Sequence, residues 1–302
     1  MSDSVREWVT AALGAEPVQE LFAAHHLSRV VGYRLSDGRN VVVKARPGLE
    51  RAARCVAAQA ALFADGFPCP EPLTSVVEVE GLAVHAEAYV SGEERRYGTD
   101  DATVHRFAGV LADLQRRLER LDPQPPLGSP MWLAWDHDED GVWPERGVAY
   151  PDGRKLDPPT WLTEIADRVQ QRMRASKLPE VVGHADWETQ HLRWEGERLV
   201  VVHDWDSLSP RSEAALVGAA AATFPSDRQP ELAPIAASKR FLHTYQSERG
   251  QNFSDDELEV AWAAGTWLAA HNARMELVYR KPHRVLAALA EQAEDRLAQA
   301  AA

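Results

Sequence analysis

Val182 to Asp206 reads V-G-H-A-D-W-E-T-Q-H-L-R-W-E-G-E-R-L-V-V-V-H-D-W-D. An apolar pair, Val181 and Val182, leads into His184-Ala185-Asp186 on a loop. Leu192 to Trp194 predicts a short strand, Glu195-Gly196-Glu197 a turn, and Leu199 to Val202 a second strand. A tight hairpin brings its two outer ends together, so Asp204 and Asp206 are expected at the same end as Asp186. Converging carboxylates beside a loop suit a Mg²⁺-dependent phosphoryl transfer, in which one takes the proton of an attacking hydroxyl and others hold the metal.

The octet H-A-D-W-E-T-Q-H (184–191), followed by V-V-H-D-W-D (201–206), resembles the catalytic loop and metal-binding segment of the aminoglycoside phosphotransferase and choline kinase-like family. That family has the protein-kinase-like fold. Its pattern is H-x-D, an Asn five residues after the Asp, and an apolar strand ending in Asp-Trp or Asp-Phe. The resemblance implies that Asp186 is the catalytic base and Asp204 the principal metal ligand, with Asp206 and His191 as further ligands. His191 stands where the family has its Asn. Mg²⁺ prefers oxygen and imidazole suits softer metals, so Mn²⁺ joins Mg²⁺ as an expected cofactor beside ATP. The implied fold is α+β and bilobal, with a small antiparallel-sheet nucleotide-binding lobe over residues 1–92 and a mainly helical lobe over 93–302.

Composition sets bounds around that reading. The 302 residues suffice for two lobes with their own cores, and 45% hydrophobic and 26% charged residues are ordinary for a globular protein. A net charge of −13 argues against nucleic acid or an anionic membrane surface as partner. It is compatible with a cationic ligand or with a plain solvated acidic surface. Two cysteines, Cys55 and Cys69, imply no disulfide framework, and a reducing cytoplasm is expected. The first residues lack the basic and apolar segments of a signal peptide, and no apolar run approaches a membrane span. A monomer or weak dimer is expected.

Along the chain, Ser4 to Leu13 has the apolar spacing of a short helix. Strands are expected at Val18 to Phe22, Arg29 to Leu35 and Asn40 to Ala45, the last two joined by the turn Ser36-Asp37-Gly38-Arg39. In the related fold the loop before the second of these strands covers the nucleotide phosphates. Here that loop has no glycine, which leaves His25, His26 and Ser28 as candidate side-chain donors or as plain surface. Lys44, at the end of Val41-Val42-Val43, matches the family lysine that holds the α- and β-phosphates. The helix Leu49 to Ala64 has no carboxylate between Arg51 and Ala64, so the usual helix Glu partner of that lysine is absent; Cys55 or Gln59 stands near its place. Two strands, Ser75 to Val79 and Leu82 to Val90, follow. The resemblance implies that Glu87, Ala88, Tyr89 and Val90 form the hinge whose backbone meets the adenine edge.

Asp101 to Leu121 is strongly helical by spacing. Leu127 to Pro159 is an unusually long loop carrying Trp132, Trp135, Asp136 and Asp138 among other aromatic and acidic residues. Aromatic faces beside carboxylates suit a sugar or a cationic amine; a plug packed on the helical lobe is the competing reading. The run from Asp136 to Gly141 begins like a calcium loop, but Gly147 holds the position of the required Glu. Further helices are expected over 159–176, 212–224, 235–248, 254–275 (opened by a Ser254–Glu257 capping box) and 283–302. His271 is read as a satisfied core residue or, alternatively, as a substrate contact. Three functions are weighed. The first is a kinase moving the ATP γ-phosphate to a hydroxyl of an aminoglycoside, amino sugar or similar metabolite. The second is a catalytically silent nucleotide- or ligand-binding protein of the same fold. The third is a metal hydrolase using His184, Asp186, His191, His203 and Asp204.

Overall fold

The computed structural model describes every residue except 26, 27, 92, 93, 147, 152 and 154. The expected lobe boundary at 92/93, the loop residue His26 and Gly147 therefore lie outside the described residues. The chain forms two compact units, one of residues 1–94, 120–128 and 192–206, the other of 95–119, 129–191 and 207–302.

In the first unit, α1 (Asp3–Leu13) precedes β1 (Pro17–His25), β2 (Arg29–Leu35), β3 (Asn40–Arg46), α2 (Leu49–Ala64), β4 (Val77–Val79) and β5 (Leu82–Ala88). The strands make one antiparallel sheet in the order β1-β2-β3-β5-β4. Strand alternation sorts its side chains onto two faces. Val31, Tyr33, Leu35, Val41, Val43, Ala45, Val84 and Ala86 pack with Val5 and Val9 of α1 into a core. Val42 pairs with Glu87 and Lys44 with His85, so these four residues share the opposite face. The expected strand over 82–90 stops at Ala88, which leaves Tyr89 and Val90 just beyond it, and β1 runs three residues further than Val18 to Phe22 suggested.

Continuing along the chain, α3 (Asp101–Leu121) and α4 (Thr160–Ala175) lead to β6 (Glu180–His184), and β7 (Leu192–Glu195) and β8 (Arg198–Val202) form the expected hairpin. After β9 (Leu208–Ser212) come α5 (Glu213–Thr223), α6 (Ile235–Arg249), α7 (Asp255–Val278) and α8 (Arg284–Gln299). β6 pairs antiparallel with β9, which the sequence hid: Pro210 lies within β9, opposite Val182, and proline reads against a strand. The capping box is formed, with Ser254 and Glu257 exchanging hydrogen bonds at the start of α7. Helices α5 and α7 touch backbone to backbone: a Cβ at Gly218 would lie 1.9 Å from the Ala261 carbonyl oxygen.

The long loop is an aromatic plug on the helical unit. Leu133, Trp135 and Trp143 are buried, and Trp143 packs on Trp267 of α7 at 5.9 Å between ring centroids. Fully buried Arg274 donates to the Pro144 carbonyl at 3.2 Å and to Glu145 at 2.8 Å, pinning the loop to α7. Among the described residues, no helix is long and apolar enough to cross a membrane.

Candidate active site

In the first unit the site is built around Lys44. Its Nζ lies 3.0 Å from Glu87 Oε1, and both side chains are buried. Gln59 of α2 donates to the other oxygen of Glu87 at 3.0 Å and to the Pro70 carbonyl at 2.8 Å. The carboxylate missing from the helix thus comes from the neighbouring strand. Lys44 lies directly opposite His85, so Glu87 is its diagonal neighbour on the same face, within reach of a long side chain. Sequence reasoning gave Glu87 a backbone role in the hinge and overlooked this one; once β3 and β5 are paired, the register reveals it.

Burial alone pulls the Lys44 ammonium down, but the Glu87, Asp206 and Asp204 carboxylates outweigh it and hold the group charged, well above the usual lysine range. Asp204 follows β8 with a φ of 64°, a left-handed conformation that few residues other than glycine adopt and that clusters at functional sites. Its hard oxygen donor fits Mg²⁺ or Mn²⁺. Asp206 is differently employed. Its Oδ2 lies 2.7 Å from Arg46, and its carbonyl accepts from Arg51 at 3.2 Å. Cys55 packs there with its thiol pushed up to about 11, chiefly by burial, which makes it unreactive.

At the end of β5, the Ala88 N–H donates to the Glu71 carbonyl at 2.8 Å and the Tyr89 N–H to the Asn40 carbonyl at 3.2 Å. Those two N–H groups thus serve the fold. Tyr89 and Phe22 are both partly exposed, with ring centroids 6.2 Å apart, and a Cβ at Gly32 would collide with the Phe22 ring. Ser28 is half-buried in the bend before β2.

In the second unit, β6 ends at His184 and the chain turns into the loop carrying Asp186. The Asp186 N–H donates to His184 Nδ1 at 3.2 Å. His184 therefore braces the loop through Nδ1, which leaves that nitrogen unavailable to a metal. The Ala185 N–H donates to the Ser207 carbonyl at 3.0 Å, and buried Trp187 donates to the Phe107 carbonyl at 3.1 Å. Thr189–His191 is a single 3-10 turn, held by the Thr189 N–H on the Phe224 carbonyl at 2.9 Å. His191 Nε2 lies 2.9 Å from Asp186 Oδ2. Glu188 is buried beside them; burial first, then the Asp186 charge, raises its carboxyl well above the ordinary range.

Of the aromatic candidates, Trp132 is half-buried against this loop. Its indole N–H donates to the Ala185 carbonyl at 2.9 Å, and its own carbonyl accepts from Trp267 at 3.0 Å. Trp135 and Asp136 serve packing: Arg211 grips both Asp136 oxygens, at 2.7 and 2.5 Å, and stacks over the Trp135 ring at 4.6 Å. Asp138 is exposed and pairs with Arg146 at 3.4 Å. His271 is buried but not satisfied as expected, since its Nδ1 has no partner among the described residues.

An antiparallel sheet with a buried lysine–carboxylate pair, together with an H-x-D loop in a helical unit, defines a phosphotransferase of the protein-kinase-like fold. Residues 20–250 match the phosphotransferase enzyme family, and the chain belongs to it. Solved structures of similar fold include the amicoumacin kinase hAmiN in complex with AMP-PNP, Ca²⁺ and Ami, 13% identical, with a TM-score of 0.66 over 98% of this chain and 93% of that one. A thermostable mutant of aminoglycoside phosphotransferase APH(4)-Ia, in ternary complex with AMP-PNP and hygromycin B, is 12% identical, with a TM-score of 0.61 over 99% of both chains. The macrolide 2'-phosphotransferase MphH from Brachybacterium faecium is 17% identical, with a TM-score of 0.56 over 96% of this chain and 98% of that one. No curated protein matches the sequence at a significant level.

Proposed function

We propose that this protein is a small-molecule kinase that transfers the γ-phosphate of ATP to a hydroxyl of an aminoglycoside, an amino sugar or a similar cationic or sugar-like metabolite. The observation that carries the reading is the buried Lys44 ammonium, kept charged by Glu87, Asp206 and Asp204. A buried cation held this firmly suits a point charge for phosphate oxygens. AMP-PNP in two of the similar structures agrees with a nucleoside triphosphate as donor.

In this reading Asp186 orients the acceptor hydroxyl and takes its proton. The hydroxyl oxygen then bonds to the γ-phosphorus as the bond to the bridging oxygen breaks, and ADP leaves. Lys44 fixes the α- and β-phosphates. A divalent cation, held by Asp204, would neutralise charge developing on the phosphate oxygens. Asp206 keeps Arg46 and the segment around it in place. Val90 and the hinge carbonyls would meet the adenine edge, with Phe22 and Tyr89 beside it. Trp132 offers a ring face to the acceptor next to Asp186. Free, buried Cys55 and Cys69 suit a reducing cytoplasm.

A second reading, a nucleotide- or ligand-binding protein without turnover, draws on the His191 contact to Asp186, which engages the candidate base. The lysine's strand partner removes the argument from the missing helix carboxylate, while the glycine-free loop before β2 still stands on its side. An ATP-consumption screen over aminoglycosides, amino sugars and simple alcohols, with Mg²⁺ and Mn²⁺ in parallel, separates the two. Acceptor-dependent ADP release with a phosphorylated product is expected; tight AMP-PNP binding with no turnover on any acceptor would favour the silent protein.

A further inference from the structure

The Nε2 of His191 is directed at the carboxylate of Asp186, 2.9 Å from Oδ2. From this we infer that His191 is a positioning residue for the base Asp186 rather than a second metal ligand, so that the protein works with one divalent cation per nucleotide. The inference rests on the kinase reading above.

Three observations support it. In the role of base Asp186 is a carboxylate, which only accepts hydrogen bonds, so in that role the 2.9 Å contact assigns the proton to Nε2. A protonated ring nitrogen has no lone pair to give a metal, and the nitrogen aimed at the base is therefore spent on it. The seat is also rigid. The His191 N–H donates to the Glu188 carbonyl at 3.0 Å, and the Gln190 N–H to the Ser226 carbonyl at 3.3 Å, so the 3-10 turn fixes where the imidazole starts. Finally, Asp186 is held at two points on the same loop, by its N–H on His184 and its Oδ2 on His191. A base fixed at both backbone and carboxylate is preorganised in the way that positioning arguments require. The two side chains are 15% and 24% exposed, so the contact is only partly screened by water.

The test counts metal and measures turnover in the full-length protein. Mn²⁺ is titrated in the presence of saturating AMP-PNP and bound metal is read by electron paramagnetic resonance. ATP hydrolysis with water as acceptor is followed in the same proteins, which avoids the need to know the natural acceptor. Wild type is expected to bind one Mn²⁺ per nucleotide, and His191→Ala the same number. His191→Ala should lower kcat by about a hundredfold, the scale of a misplaced catalytic group, while KM for ATP stays within about twofold. His191→Gln places an amide N–H near the former Nε2 and should restore most of the loss. Two Mn²⁺ in wild type falling to one in His191→Ala would assign His191 to the metal and overturn the inference alone. Unchanged kcat in His191→Ala, or a loss matched by a fall in thermal midpoint and not rescued by Gln, would also overturn it. Absence of any AMP-PNP binding overturns the kinase reading and this inference with it.

Discussion

Lys44 and Asp186 show how differently two candidate site side chains can be held. Lys44 sits in a nearly dry pocket, where its charge survives because Glu87 lies 3.0 Å away and Gln59 holds the second oxygen of that carboxylate. Removing one partner of a buried pair leaves an uncompensated charge. Glu87→Ala is therefore expected to lower unfolding free energy by roughly 3–5 kcal/mol, read from urea denaturation midpoints, and to weaken ATP binding as Lys44 loses its anchor. A loss below about 1 kcal/mol, the range of an exposed pair, would show that the ammonium is solvated. Asp186 is only partly buried and is held by hydrogen bonds on its own loop. Asp186→Asn preserves shape and most of those contacts, so folding and nucleotide affinity should be retained while turnover falls at least about a hundredfold, the usual contribution of a general base. Equal turnover in that variant would take Asp186 out of the mechanism. The H-x-D signature singled out Asp186 as a candidate from sequence. The Lys44–Glu87 pair was not, because only the strand register brings the two residues together.

Elements with a strong helical period were legible nearly to the residue: α2 over 49–64 and α3 over 101–121 coincide with their sequence spans. Period 3.6 with turn residues at both ends leaves little freedom. What escaped detection depends on partners distant in sequence. β9 forms because β6 offers a ladder, in spite of Pro210. The start of α8 lacks a side-chain cap of its own, and buried Glu276 of α7 supplies one by accepting from the N–H groups of Arg284, Val285 and Leu286 at 3.1, 2.9 and 3.0 Å. The α5–α7 contact belongs to this class. Gly218 and Gly265 look like helix-weakening glycines in sequence, yet they permit the backbones to touch, and a Cβ at Gly265 would lie 2.6 Å from the Gly218 carbonyl oxygen. Intrinsic propensity favours Ala over Gly within a helix by about 1 kcal/mol. Here the clash is with backbone and cannot be relieved by rotating a side chain. Gly218→Ala is expected to destabilise by at least roughly 1–3 kcal/mol, the cost of overpacking, against that propensity gain. A raised thermal midpoint would mean the helices part without cost.

For the molecule as a whole, the excess of 46 acidic over 33 basic residues dominates its charge, but the histidines set its acid stability first. Ordinary carboxylates titrate near pH 4, well below the range in which a free imidazole takes up its proton. His271 lies buried on α7, and burial, aided by the Arg274 charge, pushes its imidazole down to about 3. Burial, then the Lys44 charge, lowers His85 in the same direction. In the unfolded chain each imidazole protonates near an ordinary value of about 6.5. Between that pH and about 3, the unfolded state binds a proton at His271 that the folded state refuses. The stabilisation is therefore fully present above about pH 6.5 and is lost as pH falls, with His271 contributing up to about 1.4 kcal/mol per pH unit. Urea midpoints measured from pH 7.5 down to 4.5 should fall over this window, before the carboxylates begin to neutralise. His271→Leu puts an apolar side chain of similar size there and removes both the titration and an unpartnered buried nitrogen. Its profile should be shallower than wild type by about one proton's worth of slope, with little loss of stability at pH 7.5. A variant whose stability falls as steeply as wild type between pH 6.5 and 4.5 would move the acid sensitivity away from this helix.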